Sequence, residues 1–217
     1  MDVTILVPTY FGGAMLQNCI NSILQNVSSP QVQVYKNEDG WLKAANKMMK
    51  TVTTDVILLN DDTVVLTDIV REMHNLAYSD DKIGIVGAKI LAPNQETVIN
   101  YGVYINVDGN SAHKHYGEQK QKVSKVEIQK AVEGSCMFIK RDILDEIGYF
   151  DEGFGAGYRE EIDLCYRVRE SGYKVVSCPT AEVVHFVGQT HGRLGITNDT
   201  HKYFMEKWGQ KMALGKV

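Results

Sequence analysis

Apolar runs, each followed by a polar turn, divide the first half of the chain into alternating elements. Residues 3–7 and 56–59 are runs rich in aliphatic and β-branched residues, which is typical of buried strands. Between them, apolar residues at 16–24 recur one, three or four positions apart and predict one face of a helix. Residues 41–50 and 68–78 predict two further helices. Strands that alternate with helices in this way predict an α/β fold with a mainly parallel central sheet flanked by helices.

The second half of the chain has a different pattern. Residues 98–117 are rich in Tyr, Asn, Gly and His and predict hairpins or a small loop-built lobe, and the polar residues 119–130 predict a mobile surface segment. The remaining periodicity predicts strands at 134–139, 174–178 and 182–185 and helices at 141–147, 160–171 and 197–212. We find no repeat and no linker, and we expect one domain, 1–217, with a nucleotide-binding half at 1–95 and an acceptor and catalytic half at 96–217.

Composition excludes several classes of protein. The chain has 217 residues, 44% of them hydrophobic, and its 23 Lys and Arg against 27 Asp and Glu give a net charge of −4. These values fit one soluble domain, and the lack of a basic excess argues against a nucleic-acid-binding module. The four cysteines lack the paired spacing of a zinc site, so we expect free thiols. No apolar run approaches the ~20 residues of a transmembrane segment and no signal peptide is visible, which predicts a cytoplasmic protein, in the host cytoplasm if the chain is viral.

An acidic turn, Asn60-Asp61-Asp62, follows the buried run 56–59 directly. In a parallel α/β sheet, ligands bind at the carboxyl ends of the strands, where this turn would lie. Two adjacent carboxylates repel each other unless a cation is near, and a divalent metal that bridges diphosphate oxygens would supply that charge. The alternative is an ordinary solvated turn.

A second acidic cluster, formed by Glu160, Glu161 and Asp163, opens a predicted helix behind the glycine-rich loop 153–157. Acidic residues are common at the start of a helix because they suit its dipole, so a purely structural role is one reading. Asp163 and Arg167 are four residues apart on this helix and should pair with each other. That pairing leaves Glu160 or Glu161 as a candidate general base.

Eight short motifs occur in one order along nearly the whole chain. They are 5–10 (ILVPTY), 40–46 (GWLKAAN), 58–63 (LLNDDT), 134–141 (GSCMFIKR), 148–152 (GYFDE), 160–167 (EEIDLCYR), 172–173 (GY) and 181–185 (AEVVH). In this order they resemble the inverting family 2 of the GT-A fold glycosyltransferases, including its rhamnosyltransferase-like members. The resemblance implies a Rossmann-like GT-A domain that moves a sugar from a nucleotide-sugar donor, UDP-linked in the expected case, to a hydroxyl of a glycan or glycoconjugate acceptor with inversion.

The resemblance also implies roles for individual residues. Donor contacts would come from Pro8, Thr9, Tyr10, Asp39, Asn46, Asn60, Asp61, Gly134 and Ser135. Asp62, with His185 at the end of a later strand, would ligate Mn²⁺ or Mg²⁺ under the diphosphate. Glu161 would be the general base, flanked by Glu160 and Asp163. A lone histidine at a strand end is more often structural, so the role of His185 depends on the resemblance.

The chain departs from the family pattern in two places. The turn that usually follows the second strand and reads the base is deleted, so that one of residues 37–39 would have to replace it. The usual Glu-Asp pair is Glu160-Glu161 here, which lengthens the expected base by one methylene.

Two other functions stay open at this stage. They are a sugar-1-phosphate nucleotidyltransferase, for which residues 11–13 (FGG) make a poor phosphate loop, and a non-catalytic nucleotide-sugar-binding module. So short a chain could also be fused to, or associated with, further glycan-processing domains.

Overall fold

A nine-stranded sheet forms the centre of the computed structural model, which describes residues 1–36, 40–155, 157–187 and 199–217. The strands are β1 (Val3–Thr9), β2 (Gln31–Lys36), β3 (Asp55–Leu59), β4 (Thr63–Val65), β5 (Ile83–Leu91), β6 (Val98–Asn100), β7 (Val103–Ile105), β8 (Ser111–His113), β9 (Glu127–Gln129), β10 (Cys136–Ile139) and β11 (Lys174–His185). The helices are α1 (Gly13–Asn26), α2 (Trp41–Met49), α3 (Ile69–Ala77), α4 (Arg141–Ile147), α5 (Glu160–Glu170) and α6 (Asp199–Ala213), with 3₁₀ turns at Lys120–Lys122 and Glu152–Phe154. Within the described ranges, no helix is both long enough and apolar enough to cross a bilayer.

The sheet is mixed, with the order β2-β1-β3-β10-β5-β11-β4, and β6 and β9 attached to β5 and β11. Strand β1 is parallel to β2 and β3, and β5 is parallel to β11. Strands β10, β4, β6 and β9 run antiparallel to their neighbours. The predicted α/β class is confirmed, but the prediction of a mainly parallel sheet holds only for part of it. A strand buried on both faces has the same apolar pattern in either direction, so the pattern could not give the direction of β10.

Helices cover both faces of the sheet and form two cores. In β3, Val56 and Leu58 point to one face, where α2, α4, α5 and α6 pack, and Ile57 and Leu59 point to the other, where α1 and α3 pack. Because helices cover both faces of the sheet, the residues of β3 from Val56 to Leu59 are all apolar rather than alternating with polar ones. The predicted hairpin lobe is confirmed in part by the antiparallel pair β7 and β8.

Residues 119–130 were predicted to be a mobile surface segment; they lie largely at the surface, but regular secondary structure holds both ends of the segment. Residues at its start form a 3₁₀ turn, and β9 at its end pairs with β11. Lys120 Nζ lies 3.0 Å from the Glu182 carboxylate, and the buried Gln129 amide donates to the Tyr101 carbonyl oxygen over 2.8 Å. These polar side chains bond to groups that are distant in the sequence, which local composition cannot indicate.

The strands predicted at 174–178 and 182–185 are one long strand, β11, with an irregular register between Ser177 and Glu182. Pro179 lies in this interval and has no N–H to donate to a neighbouring strand. The chain therefore stays extended across the interruption while its pairing shifts.

Gly87 lies in β5, where a Cβ atom would come within 2.6 Å of Val132 Cβ. We expect Gly87→Ala to lower the free energy of unfolding by about 1–3 kcal/mol, because the added methyl group overpacks the core. Chemical denaturation measures this loss. In the Gly87→Ala/Val132→Gly double variant the clashing Cβ and Cγ atoms of residue 132 are absent, so the combined loss should be smaller than the sum of the two single losses. Additive losses would contradict the close packing of the two residues.

Candidate active site

The predicted donor residues of the first strand lie at its carboxyl end. Pro8 and Thr9 are the last two residues of β1 and are buried. Tyr10 follows them and packs edge-on against Phe11, with 4.7 Å between the ring centroids. Asp39 lies outside the described residues, so its predicted contact with the base stays a prediction.

Hydrogen bonds tie the acidic turn after β3 to two other strands. The backbone N–H of Asn60 donates to the backbone carbonyl oxygen of Ser135 over 3.0 Å. The Thr63 hydroxyl donates to the backbone carbonyl oxygen of Asn60 over 2.7 Å. The Thr9 hydroxyl donates to the Asp61 carboxylate. The predicted donor residues Thr9, Asn60, Asp61 and Ser135 are therefore neighbours at one edge of the sheet.

The two carboxylates of this turn affect each other. Burial raises the pKa of the Asp61 carboxyl, the hydrogen bond from Thr9 opposes this rise, and the charge of Asp62 adds to it. A cation beside the turn would relieve this repulsion.

Asp62 and His185 face each other, although they are 123 positions apart in the sequence. Antiparallel pairing of β11 with β4 puts His185 opposite Thr63, and the Phe186 amide donates to the Asp62 carbonyl oxygen over 2.9 Å. As a result His185 Nε2 lies 3.1 Å from Asp62 Oδ1. The tertiary structure thus brings the two predicted metal ligands together.

This pair fits a divalent metal ion. A carboxylate oxygen and an imidazole nitrogen are both donors that Mn²⁺ accepts, and adjacent ligands of an octahedral ion with bonds of 2.0–2.1 Å lie about 3 Å apart. No group of three or more His, Cys, Asp or Glu side chains arranged to hold a metal occurs in the described part of the chain. Other ligands would therefore have to come from the substrate or from water.

Glu133 is a third member of this cluster, and its position before Gly134 is the only feature of the sequence that could have indicated it. Its Oε1 lies 3.1 Å from His185 Nδ1, so that the imidazole bridges Glu133 and Asp62. Burial alone would lower the pKa of His185, but the bonds to the two carboxylates outweigh it and raise the pKa to about 9. Burial would raise the pKa of Glu133, and His185 instead lowers it.

The two candidate bases, Glu160 and Glu161, begin α5 after an unusual turn. Tyr158 and Arg159 precede them with left-handed backbone angles, φ 75° and 74°, which are costly for residues other than glycine. The Arg159 guanidinium donates to the Gly109 carbonyl oxygen of the β7–β8 hairpin and lies 5.2 Å from the centroid of the Phe204 ring in α6. The hairpin and α6 thus hold this turn, a role for Arg159 that the sequence did not indicate.

Burial changes the titration of both glutamates. It raises the pKa of Glu161 to about 7, with a contribution from the charge of Glu133, while backbone hydrogen bonds and Arg159 oppose the rise. It raises the pKa of Glu160 well above the usual range, and the charge of Glu161 adds to that. Glu160 Oε2 has no hydrogen-bond partner among the described residues. A carboxyl with a pKa near 7 suits a general base at neutral pH.

The segment 133–135, directly before β10, connects the two clusters. Glu133 reaches His185, and a Cβ atom on Gly134 would lie 3.6 Å from Glu161 Cβ and 3.3 Å from the Trp41 ring. A side chain at Gly134 would therefore crowd Trp41 and Glu161.

The Asp163 carboxylate is bonded to side chains of α5 and α6. Asp163 is fully buried and pairs with Arg167 over 2.8 Å, as the helical spacing predicted. Its other oxygen accepts from Trp208 Nε1 over 2.9 Å and lies 2.7 Å from Lys207 Nζ, which ties α5 to α6.

The Asn46 side chain joins α2 to the loop before the second 3₁₀ turn. Its Oδ1 accepts from the Phe150 amide, and its Nδ2 donates to the Phe150 carbonyl oxygen and to Glu152, all within 3.1 Å. These contacts show a structural function, and the predicted contact with the nucleotide stays a prediction.

Two clefts border the Asp62–His185 pair, one lined by Asp62 and the other by His185. One, of about 210 Å³, is lined by Met15, Asn18, Asp62, Thr63, Val64 and Phe186. The other, of about 410 Å³, is lined by Ala92, Pro93, Ile99, His113, Tyr116, His185, Phe186 and Val187. A metal held by the pair would be accessible from both sides.

Comparison with known proteins identifies relatives. A family model described as "Glycosyltransferase like family 2" matches residues 36–202. The chain is 34% identical over 144 residues to an uncharacterised protein of Sinorhizobium fredii, covering 63% of this chain and 16% of that protein. It is 28% identical over 136 residues to the low-salt glycan biosynthesis hexosyltransferase Agl10 of Haloferax volcanii. This match covers 60% of this chain and 41% of that protein. It is 37% identical over 60 residues to an N-acetylglucosaminyl-diphospho-decaprenol L-rhamnosyltransferase of Mycobacterium tuberculosis. This match covers 28% of this chain and 19% of that protein. The chain thus spans less than half the length of these relatives.

Solved structures show the same fold. GalNAc-T7 with UDP, GalNAc and Mn²⁺ aligns with a TM-score of 0.73 and 14% identity, over 95% of this chain and 48% of that one. The mannosyltransferase PcManGT of Pyrobaculum calidifontis, in complex with GDP-Man and Mn²⁺, aligns with a TM-score of 0.60 and 13% identity. The alignment covers 88% of this chain and 58% of that one. At these identities the likeness concerns the fold alone, and it confirms the predicted GT-A architecture.

The contacts of Asn46 predict a stability effect. We expect Asn46→Ala to lower the free energy of unfolding by about 2–3 kcal/mol, because it leaves the buried Phe150 amide and carbonyl groups unpaired. Urea denaturation measures the change. Gln17→Ala is the matched control, since it removes an exposed amide that bonds to Asn21, and should change stability by no more than about 0.5 kcal/mol. Equal effects of the two substitutions would contradict the structural function of Asn46.

Proposed function

This chain belongs to the glycosyltransferase-like family 2, and from that premise we propose that it transfers a sugar from a nucleoside-diphosphate sugar to a hydroxyl group of a glycan or glycoconjugate. The observation that carries the proposal is the connection made by 133–135. This segment contacts the metal-binding pair through Glu133 and borders Glu161 through Gly134. One site can therefore hold a diphosphate and activate a hydroxyl.

In this proposal Asp62 and His185 hold Mn²⁺ or Mg²⁺. The metal would offset the negative charge of the nucleoside diphosphate as it leaves. The donor set and its 3.1 Å separation support this assignment. The GT-A neighbours are themselves complexes with Mn²⁺, together with UDP in one and GDP-Man in the other.

Glu161 is the proposed general base. It would remove the proton of the acceptor hydroxyl while the hydroxyl oxygen attacks the anomeric carbon, so that a single displacement inverts the configuration. Glu160 lies beside it in the sequence, and burial together with the charge of Glu161 raises the pKa of its carboxyl well above the usual range. Because both oxygens of Asp163 are engaged, we assign Asp163 to holding α5 against α6 rather than to contact with the substrate.

The donor would lie along the carboxyl ends of β1 and β3. Thr9, Asn60 and Asp61 meet there, and the small residue Gly134 would let the sugar approach the backbone. We propose a UDP-linked donor from the family resemblance. A thermal-shift panel of nucleotide sugars with and without Mn²⁺ identifies the base, the sugar and the metal together, because a bound donor stabilises the fold by mass action.

Two substitutions separate binding from chemistry. We expect Asp62→Ala to abolish the Mn²⁺-dependent part of donor binding. We expect Glu161→Gln to keep donor binding and to lower kcat about 10²- to 10⁴-fold, because the amide cannot accept the proton. Calorimetry with the donor chosen from the panel measures binding, and release of the nucleoside diphosphate measures turnover.

Glu170→Gln is the control for these measurements, since it changes a carboxylate of the same helix that pairs with Lys211 at the surface. It should turn over at the wild-type rate. A wild-type rate in Glu161→Gln would rule out Glu161 as the base, and donor affinity that ignores Mn²⁺, with no turnover, would favour a binding module.

The raised pKa of Glu161 predicts the pH dependence of the reaction. The base must be deprotonated, and its deprotonated fraction falls as the pH falls through about 7. We therefore expect kcat/KM to be level above pH 7 and to fall about tenfold per pH unit well below it. The profile is measured at saturating Mn²⁺, with the thermal unfolding temperature recorded at each pH. A rate that stays constant from pH 8 to pH 5.5 would contradict the assignment.

A further inference from the structure

Glu133 contacts a proposed metal ligand but is assigned no function by the family resemblance. It lies in the loop before β10, and its Oε1 is 3.1 Å from His185 Nδ1. The opposite nitrogen of the same ring, Nε2, is 3.1 Å from Asp62 Oδ1. The imidazole is thus held from both sides, with Glu133 on the side away from the metal-binding carboxylate.

We propose that Glu133 is a positioning residue for the metal: it accepts the Nδ1–H of His185 and so directs Nε2 toward the ion that Asp62 also binds. The inference rests on the proposed metal-dependent function. It adds to that function the group that sets the orientation and the tautomer of the histidine.

The backbone of His185 is fixed, but the backbone does not fix the ring. Pairing of β11 with β4 sets the position of the residue, whereas rotation of the ring could present either nitrogen to Asp62. A partly buried Nδ1–H without an acceptor is costly, so the carboxylate of Glu133 favours one orientation. Histidines that bind metals commonly donate their second N–H to a carboxylate, which also makes the ligating nitrogen more basic.

A second histidine, His115, also lies between two carboxylates, so a carboxylate contact by itself does not indicate a metal site. His115 lies between Glu118 and Glu127, at 3.0 Å and 2.8 Å, in the hairpin lobe. It has no counterpart of the acidic turn at the sheet edge. What distinguishes His185 is that one of its two carboxylates belongs to Asn60-Asp61-Asp62. The Glu127 contact therefore provides a matched control.

The test measures binding of Mn²⁺ alone, by electron paramagnetic resonance of the free ion, with the whole chain and no nucleotide. We expect Glu133→Leu to weaken Mn²⁺ binding about 10- to 100-fold, because the imidazole loses its acceptor. Glu133→Gln should weaken it less, since its amide oxygen can still accept from Nδ1–H. Glu127→Leu, which removes the corresponding contact of His115, should leave Mn²⁺ affinity unchanged.

A double variant distinguishes positioning from direct ligation. If Glu133 acts through His185, Glu133→Leu/His185→Ala binds Mn²⁺ no more weakly than His185→Ala. A further loss in the double variant would make Glu133 itself a ligand and overturn the proposal. Wild-type affinity in Glu133→Leu, with reduced affinity in His185→Ala and Asp62→Ala, would also overturn it and leave the proposed function intact. Absence of Mn²⁺ binding by the wild type up to millimolar concentration, with a nucleoside diphosphate present as well as without one, would reject the metal-dependent function and this inference together.

Discussion

The site depends on one constraint, the antiparallel insertion of β10 between β3 and β5. Cys136, the first residue of β10, pairs with Leu59, the last residue of β3. The residues directly before β10 must therefore lie at the carboxyl end of β3, beside the acidic turn. If β10 ran parallel to β3, the last residue of β10 would lie at the carboxyl end of β3. The segment 133–135 would then lie at the amino end of β3, away from the acidic turn.

This placement determines the electrostatics of the site. Carboxylates from three parts of the chain converge: Asp61 and Asp62 from the turn, Glu133 from the loop before β10, and the pair that begins α5. Burial raises the pKa of Asp61, Glu160 and Glu161, whereas pairing with His185 lowers the pKa of Glu133. In the proposed function, a cation would offset the repulsion between these carboxylates and the anionic diphosphate. Burial, with a contribution from the charge of Glu133, gives Glu161 a pKa suited to accepting a proton near neutral pH.

A rigid frame keeps the two clusters in place. Asp163 holds α5 to α6 through Trp208 and Lys207, and Asn46 holds α2 to the loop at Phe150. Arg159 connects the strained turn before α5 to the hairpin lobe and to α6. The side chains proposed to touch substrate thus lie on elements that these hydrogen bonds and ion pairs hold together, a condition for precise catalytic geometry.

Local information was enough for much of this protein. The apolar runs of β1 and β3 identified strands buried on both faces, helical spacing identified the Asp163–Arg167 pair, and the ordered motifs identified the family. Each of these features depends on neighbouring residues or on short segments. The direction of β10, the pairing of β9 with β11 and the contact of Glu133 with His185 were decided only by the tertiary structure. A buried strand has no directional pattern, and a hydrogen bond between residues 52 positions apart leaves no trace in the composition around either one.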